Sequence, residues 1–169
     1  MKFKPASLLA CGLLLSLSSA VWAQFTVEDA EWKESEVPPP PAFDVGKLVT
    51  FEVSPNSSLV YGVDPASISI SKNDGVVRYV MVATSASGAR NVMYEGLRCS
   101  TGEFKTYARY SPEGRWSMAS DPEWRPLFGM PSKHALRFAQ AGACDNASVP
   151  LTVNALVRRL KNPNFGTTP

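Results

Sequence analysis

Between Leu48 and Met118 the chain alternates short apolar, β-branched segments with tight-turn residues, and this pattern constrains the fold more than any other feature. Leu48 to Val53 alternates, and Ser67 to Ser71 sets Ile68 and Ile70 among serines. Residues 75–84 (GVVRYVMVAT) form the most apolar segment and are expected at the centre of a sheet. Residues 90–99 and 103–110 follow, then Trp116. The separators are Asn73-Asp74-Gly75, Ser85-Ala86-Ser87-Gly88, Ser100-Thr101-Gly102 and Ser111-Pro112-Glu113-Gly114. Such turns reverse the chain at once, whereas parallel pairing needs a long crossover, so the expectation is an antiparallel meander. After residue 130 the period lengthens. A first helix is expected from Pro131-Ser132 through Ala135, Leu136, Phe138 and Ala139 to Gly142. A second is expected from Val149 to Leu160, with Val149, Val153, Leu156, Val157 and Leu160 on one face and Pro150 in its first turn. Arg158, Arg159 and Lys161 complement its C-terminal dipole, and Asn162-Pro163 ends it. The predicted class is α+β: an antiparallel meander β-sheet with C-terminal helices packed on one face.

A length of 169 residues suits one domain. Residues 1–23 read as a signal peptide: Lys2 and Lys4 precede an apolar run from Leu8 to Leu17, and Val21-Trp22-Ala23 places cleavage before Gln24. The run is too short to span a bilayer. Leu8-Leu9-Ala10-Cys11 resembles a lipid-attachment box, but it lies too near the start of a run that continues past it. A soluble, periplasmic mature chain is therefore expected. Without Lys2 and Lys4 the 17 basic side chains fall to the number of acidic ones, 15, and a neutral mature chain excludes the basic footprint of a nucleic-acid binder. Cys11 leaves with the signal, so Cys99 and Cys144 are expected to pair as a disulfide; the alternative is two buried thiols. Residues 24–47 form an acidic, proline-rich arm. In it Glu28, Asp29, Glu31, Glu34 and Glu36 face a single Lys33, and Pro38 to Pro41 make a stiff polyproline II spacer. Residues 48–162 are the α+β domain and 163–169 a tail.

No catalytic, metal or cofactor set emerges. The single histidine, His134, lies in no nucleophile motif and cannot build a zinc site alone. There is no phosphate loop, calcium loop or CxxC. A carboxylate pair for glycoside hydrolysis has no sequence spacing by which to know it. Trp32, Trp116 and Trp124, with Tyr61, Tyr79, Tyr94, Tyr107 and Tyr110, fit core and edge packing better than a sugar platform. Two charged features stand out. If Cys99 faces the helices, alternation sends Leu97, Glu95 and Met93 with it, so Glu95 needs a buried partner, with Arg137 and Arg158 as candidates. A bulge at Gly96 would instead turn Glu95 outward. On the other face, Arg78, Arg90, Arg98, Lys105 and Arg109 are expected to align into a tyrosine-bearing anion-binding strip. That strip either binds an anionic envelope component or is covered by the chain's own acidic arm.

The segments Asp74-Gly75-Val76-Val77-Arg78-Tyr79, Gly88-Ala89-Arg90-Asn91-Val92, Tyr94-Glu95-Gly96-Leu97-Arg98-Cys99 and Lys105-Thr106-Tyr107-Ala108 occur in order, with Trp116 and Trp124 after them. Over about residues 45–145 this pattern resembles the cryptic neisserial protein family of exported betaproteobacterial proteins. The resemblance implies a bacterial exported protein and carries over no catalytic residue. The expected role is a non-enzymatic structural or interaction module of the cell envelope, partnered by an envelope protein. A binding module for an anionic envelope component is the alternative.

Overall fold

The computed structural model describes residues 31–162. The expected signal peptide, Glu28, Asp29 and the expected tail fall outside them. Eight strands form one antiparallel sheet: β1 (Val49–Phe51), β2 (Leu59–Val63), β3 (Ser69–Ile70), β4 (Val76–Ser85), β5 (Arg90–Arg98), β6 (Glu103–Tyr110), β7 (Trp116–Met118) and β8 (Arg125–Pro126). The main path runs β1-β2-β4-β5-β6-β7; β3 pairs with β4, and β8 with β6. Helices α1 (His134–Phe138) and α2 (Val153–Lys161) follow. The α+β class and its meander are as the turn spacing requires.

Both faces of the sheet are covered. On one, Val77, Tyr79, Met81, Met93, Leu97 and Phe104 pack with Ala135, Phe138, Leu156 and Leu160 of the helices. On the other, Val80, Val82, Val92, Tyr94, Tyr107 and Ala108 pack beneath Val37, Phe43 and Leu48, so the arm is the third layer. This explains why β4 reads as a nearly continuous apolar run: Val76 to Ala83 are all buried, as in a strand sandwiched on both sides.

Three details depart from expectation. Strand β2 does not show in the sequence pattern, because Gly62 interrupts its alternation. A Cβ at Gly62 would sit 3.1 Å from the Leu48 side chain, so close approach to the chain beside β1 favours glycine there. The first helix is short: α1 widens into a π-helical turn, Ala139–Ala143, which Gly142 closes at φ 128°. Helix α2 starts later than Val149, because Thr152 caps it by accepting from Ala155 N at 3.1 Å, which places Pro150 ahead of the helix.

A disulfide joins Cys99, just past β5, to Cys144 after the π turn, with Cα atoms 5.6 Å apart. It ties the central sheet to the helical layer. A β-bulge interrupts the β5–β6 register. Tyr94 pairs with Ala108 and Glu95 with Thr106, so Tyr107 is the extra residue.

Candidate functional site

The register places Arg78 of β4 and Lys105 of β6 on either side of Gly96 of β5. Two cations thus stand two strands apart with no side chain between them. The Tyr107 ring fills the gap; a Cβ at Gly96 would lie within 2.8 Å of Tyr107 Cζ. Arg98, at the end of β5, borders the hollow, and Trp124 closes it from the segment before β8.

Into this hollow the arm inserts Glu34. One carboxylate oxygen accepts from Lys105 Nζ at 2.7 Å and Trp124 Nε1 at 3.2 Å. The other accepts a short hydrogen bond from the Tyr107 hydroxyl, with Arg78 at 3.5 Å. Trp32 sits alongside. Arg98 stacks its guanidinium 3.7 Å from an indole ring centroid of Trp32, Trp124 meets Trp32 edge-on, and Trp32 Nε1 donates to Asp74 O at 2.9 Å. Ser35 N donates to Asp74 Oδ2 at 2.9 Å.

Each cation has a close carboxylate, and Glu34 lies near two of them, Lys105 and Arg78. Asp74 holds Arg78 at 2.7 Å, Glu103 holds Arg98 at 3.5 Å, and Glu34 is the one ion-pair partner of Lys105 among the described residues. Burial pushes the Glu34 carboxyl up, but hydrogen bonds from Lys105, Tyr107 and Trp124 outweigh it and leave the group below its ordinary value. Burial likewise opposes ionisation of Asp74, and the bond from Arg78, then those from Ser71, Ser35 and Val76, hold it far below the usual carboxylate range. Tyr107 is pushed well up, by burial first and the adjacent Glu34 second, so it stays a donor.

Of the five cations expected in a strip, Arg78, Arg98 and Lys105 converge. Arg90 is exposed near the far end of β5. Arg109 does not share a face with Lys105. The extra residue Tyr107 shifts the phase by one, so Arg109 pairs opposite Met93, whose side chain belongs to the helix-side core, and reaches Asn91 at 3.4 Å. Among the described arm acids only Glu34 enters the hollow; Glu31 and Glu36 are exposed.

On the helix face, Glu95 is fully buried and accepts from Tyr79 (3.2 Å), Thr106 (3.1 Å) and His134 Nε2 (3.0 and 3.1 Å to its two oxygens). His134 Nδ1 lies 2.7 Å from Ser132 Oγ. The partner of Glu95 is therefore His134. Of the two arginines expected there, Arg137 bonds Val53 O and Gln140 instead, from the exposed side of α1, and no bond joins Arg158 to Glu95. The bulge lies beside Glu95 and on the partner strand, so Glu95 stays inward. These contacts fix the orientation of the imidazole between Glu95 and Ser132. Ser132 and His134 are neighbours in sequence, but Glu95 is 39 residues from His134, and no local motif marks their meeting. Trp32 and Trp124, expected to pack rather than to form a platform, and Asp74, expected as a turn residue, also belong to the site. The signals for them were the glycine inside β5 and the i, i+4 spacing of Asp74 and Arg78.

An antiparallel sheet clad by helices on one face and by its own extended arm on the other, with a one-carboxylate cationic seat beneath the arm, defines a small α+β protein with a buried cluster on each face of its sheet. The model of the CNP1-like family matches residues 27–161, arm and helices included, and the chain belongs to that family. It is 27% identical to "Cryptic neisserial protein 1" of Neisseria gonorrhoeae over 148 residues, covering 78% of this chain and 72% of that one. No solved structure matches. Among the described residues no helix is long and apolar enough to cross a membrane.

Proposed function

We propose that this is an exported cell-envelope protein acting as a non-enzymatic interaction module, with the Arg78–Lys105–Tyr107–Trp124 seat as its anion-binding site. The observation that carries this reading is the fourfold grip on Glu34 by Lys105, Tyr107, Trp124 and Arg78. A carboxylate held by two cations, a phenol and an indole N–H, with one face of the site closed by a glycine hollow, is the chemistry of anion recognition. The signal-like residues 1–23 support export, and a single Cys99–Cys144 disulfide suits an oxidising compartment. In the intact chain the arm occupies the seat, which supports covering by the arm over an open strip.

The test uses the full mature chain with Trp32→Ala and Glu34→Ala together. Opening the seat is expected to produce salt-sensitive binding to anionic resin and to anionic lipid vesicles that the unaltered protein lacks. Adding Lys105→Ala should remove it. An opened variant that stays folded and gains no anion binding overturns the reading.

A further inference from the structure

The arm does not join the sheet as a strand. Among the described residues, no backbone–backbone hydrogen bond links residues 31–43 to any strand; the first such bond in the arm is local, Lys47 N to Asp44 O. Its seating rests on side-chain prongs and on two bonds from its own backbone, Ser35 N and Asp44 N donating to the Asp74 and Asp64 carboxylates. The proline run that follows has no donors to offer a strand. An extended segment held by its side chains is how a bound peptide sits in a groove.

Three side chains of the groove, Arg78, Arg98 and Tyr107, are held by partners outside the arm. Arg78 is fixed by Asp74 and Arg98 by Glu103, both from within the sheet and its turns. The Tyr107 ring is held in the Gly96 hollow and against Tyr94. With these pairs in place, removing Glu34 leaves one uncompensated cation, Lys105, and the phenol and indole donors beside it. A site with one spare positive charge suits one carboxylate better than a doubly charged phosphate. Beside it lies the Trp32 seat, with the Arg98 guanidinium against the ring, the Trp124 edge, and Asp74 O to accept an indole N–H. The two subsites are spaced for residues i and i+2 of an extended chain, since the intervening Lys33 is exposed.

We infer that this groove is a peptide-binding site, that its ligand is an extended segment of another protein presenting an aromatic residue and, two positions later, a carboxylate, and that the arm is a built-in competitor. The inference rests on the anion-binding reading above and narrows it to one ligand class. A tethered competitor acts at an effective concentration in the millimolar range, so the intact protein binds only partners that outcompete it or meet it with the arm already displaced. The arm thereby sets a threshold against weak, abundant acidic segments.

The probe is the synthetic peptide EWKESEV, identical to residues 31–37, blocked at both ends. Titration into the full mature chain carrying Trp32→Ala and Glu34→Ala, followed by heteronuclear NMR, should show saturable binding with shifts at Lys105, Tyr107 and the Trp124 indole. The unaltered protein should bind at least tenfold more weakly, because its own arm competes. A peptide with the central glutamate replaced by glutamine should bind the opened variant roughly 30-fold more weakly, and so should an alanine in place of its tryptophan. If the double variant fails to fold, Glu34→Gln alone serves, with the same expected order. Parallel titrations with inorganic phosphate and anionic vesicles separate the two readings. Binding of phosphate or vesicles without the peptide overturns the peptide inference and keeps the anion site. Equal binding of the glutamate and glutamine peptides also overturns it. Binding of none of the probes overturns both.

Discussion

Tyr107 lies across Gly96, and the phenol occupies the space that a side chain at position 96 would fill. This contact creates the seat, because it brings the phenolic hydroxyl between Arg78 and Lys105, which the register sets on the two sides of Gly96. Gly96→Ala is expected to destabilise the protein by about 1–3 kcal/mol, the usual cost of forcing a side chain into filled space. It should also displace Tyr107 and loosen Glu34. Urea unfolding gives the first quantity, and the Trp32 and Trp124 indole resonances report the second. An alanine variant as stable as the parent, with unmoved indoles, would refute the role assigned to the hollow.

The arm should come off in acid. The docked Glu34 carboxyl titrates below its ordinary value of 4.5, so the undocked arm binds protons more readily than the docked one. The contribution of Glu34 to docking is therefore complete above about pH 4.5 and is lost as pH falls through the lowered, docked value. Asp74 is held lower still, so the Asp74–Arg78 pair outlasts the Glu34–Lys105 pair. Tryptophan fluorescence should thus change in acid before the domain unfolds. In Glu34→Gln that early step should vanish; its persistence would place the transition elsewhere.

How much of this was legible in the sequence depends on the range of the interactions. Turns and the central strand were readable, since Gly75 and Gly88 carry positive φ at the turns their sequences mark, and β4 is apolar because both its faces are covered. Helix bounds were less so, because Thr152 rather than Pro150 sets the start of α2. Strict alternation predicts the cationic strip, and the structure departs from it at Arg109, because one extra residue, Tyr107, reverses the facing of all that follows on β6. Neither the bulge nor the Glu95–His134 contact has a local signature, since both follow from how distant segments pack.

The Cys99–Cys144 disulfide should stabilise the domain by roughly 4 kcal/mol on the chain-entropy model, given a sequence separation of 45. Replacing both cysteines with serine should lower the urea midpoint accordingly, and mass spectrometry of the untreated native protein should find no alkylatable thiol at either position. Recovery of two free thiols would contradict the pairing.

Glu95 is the buried acid whose removal should cost most. Its two oxygens satisfy three donors, Tyr79, Thr106 and His134, inside a core that offers them no other acceptor in the observed bonds. The Tyr79 hydroxyl is pushed well above its ordinary value, by burial first and by Glu95 second, so it remains a donor throughout the accessible pH range. Glu95→Ala strands these groups and opens a void, for an expected loss of about 3–5 kcal/mol. His134→Ala should cost less, because Glu95 keeps two of its donors. The double variant should lose less than the two single variants together, with a coupling of about 1–3 kcal/mol, as for residues that share a hydrogen bond. Ser132→Ala removes a partner only at Nδ1, on the exposed side of the ring, and should cost about 1 kcal/mol or less. Urea unfolding of the four variants measures the cycle. Additive losses at positions 95 and 134 would mean that the imidazole and the carboxylate do not depend on each other, and the two would then be no more than neighbouring side chains.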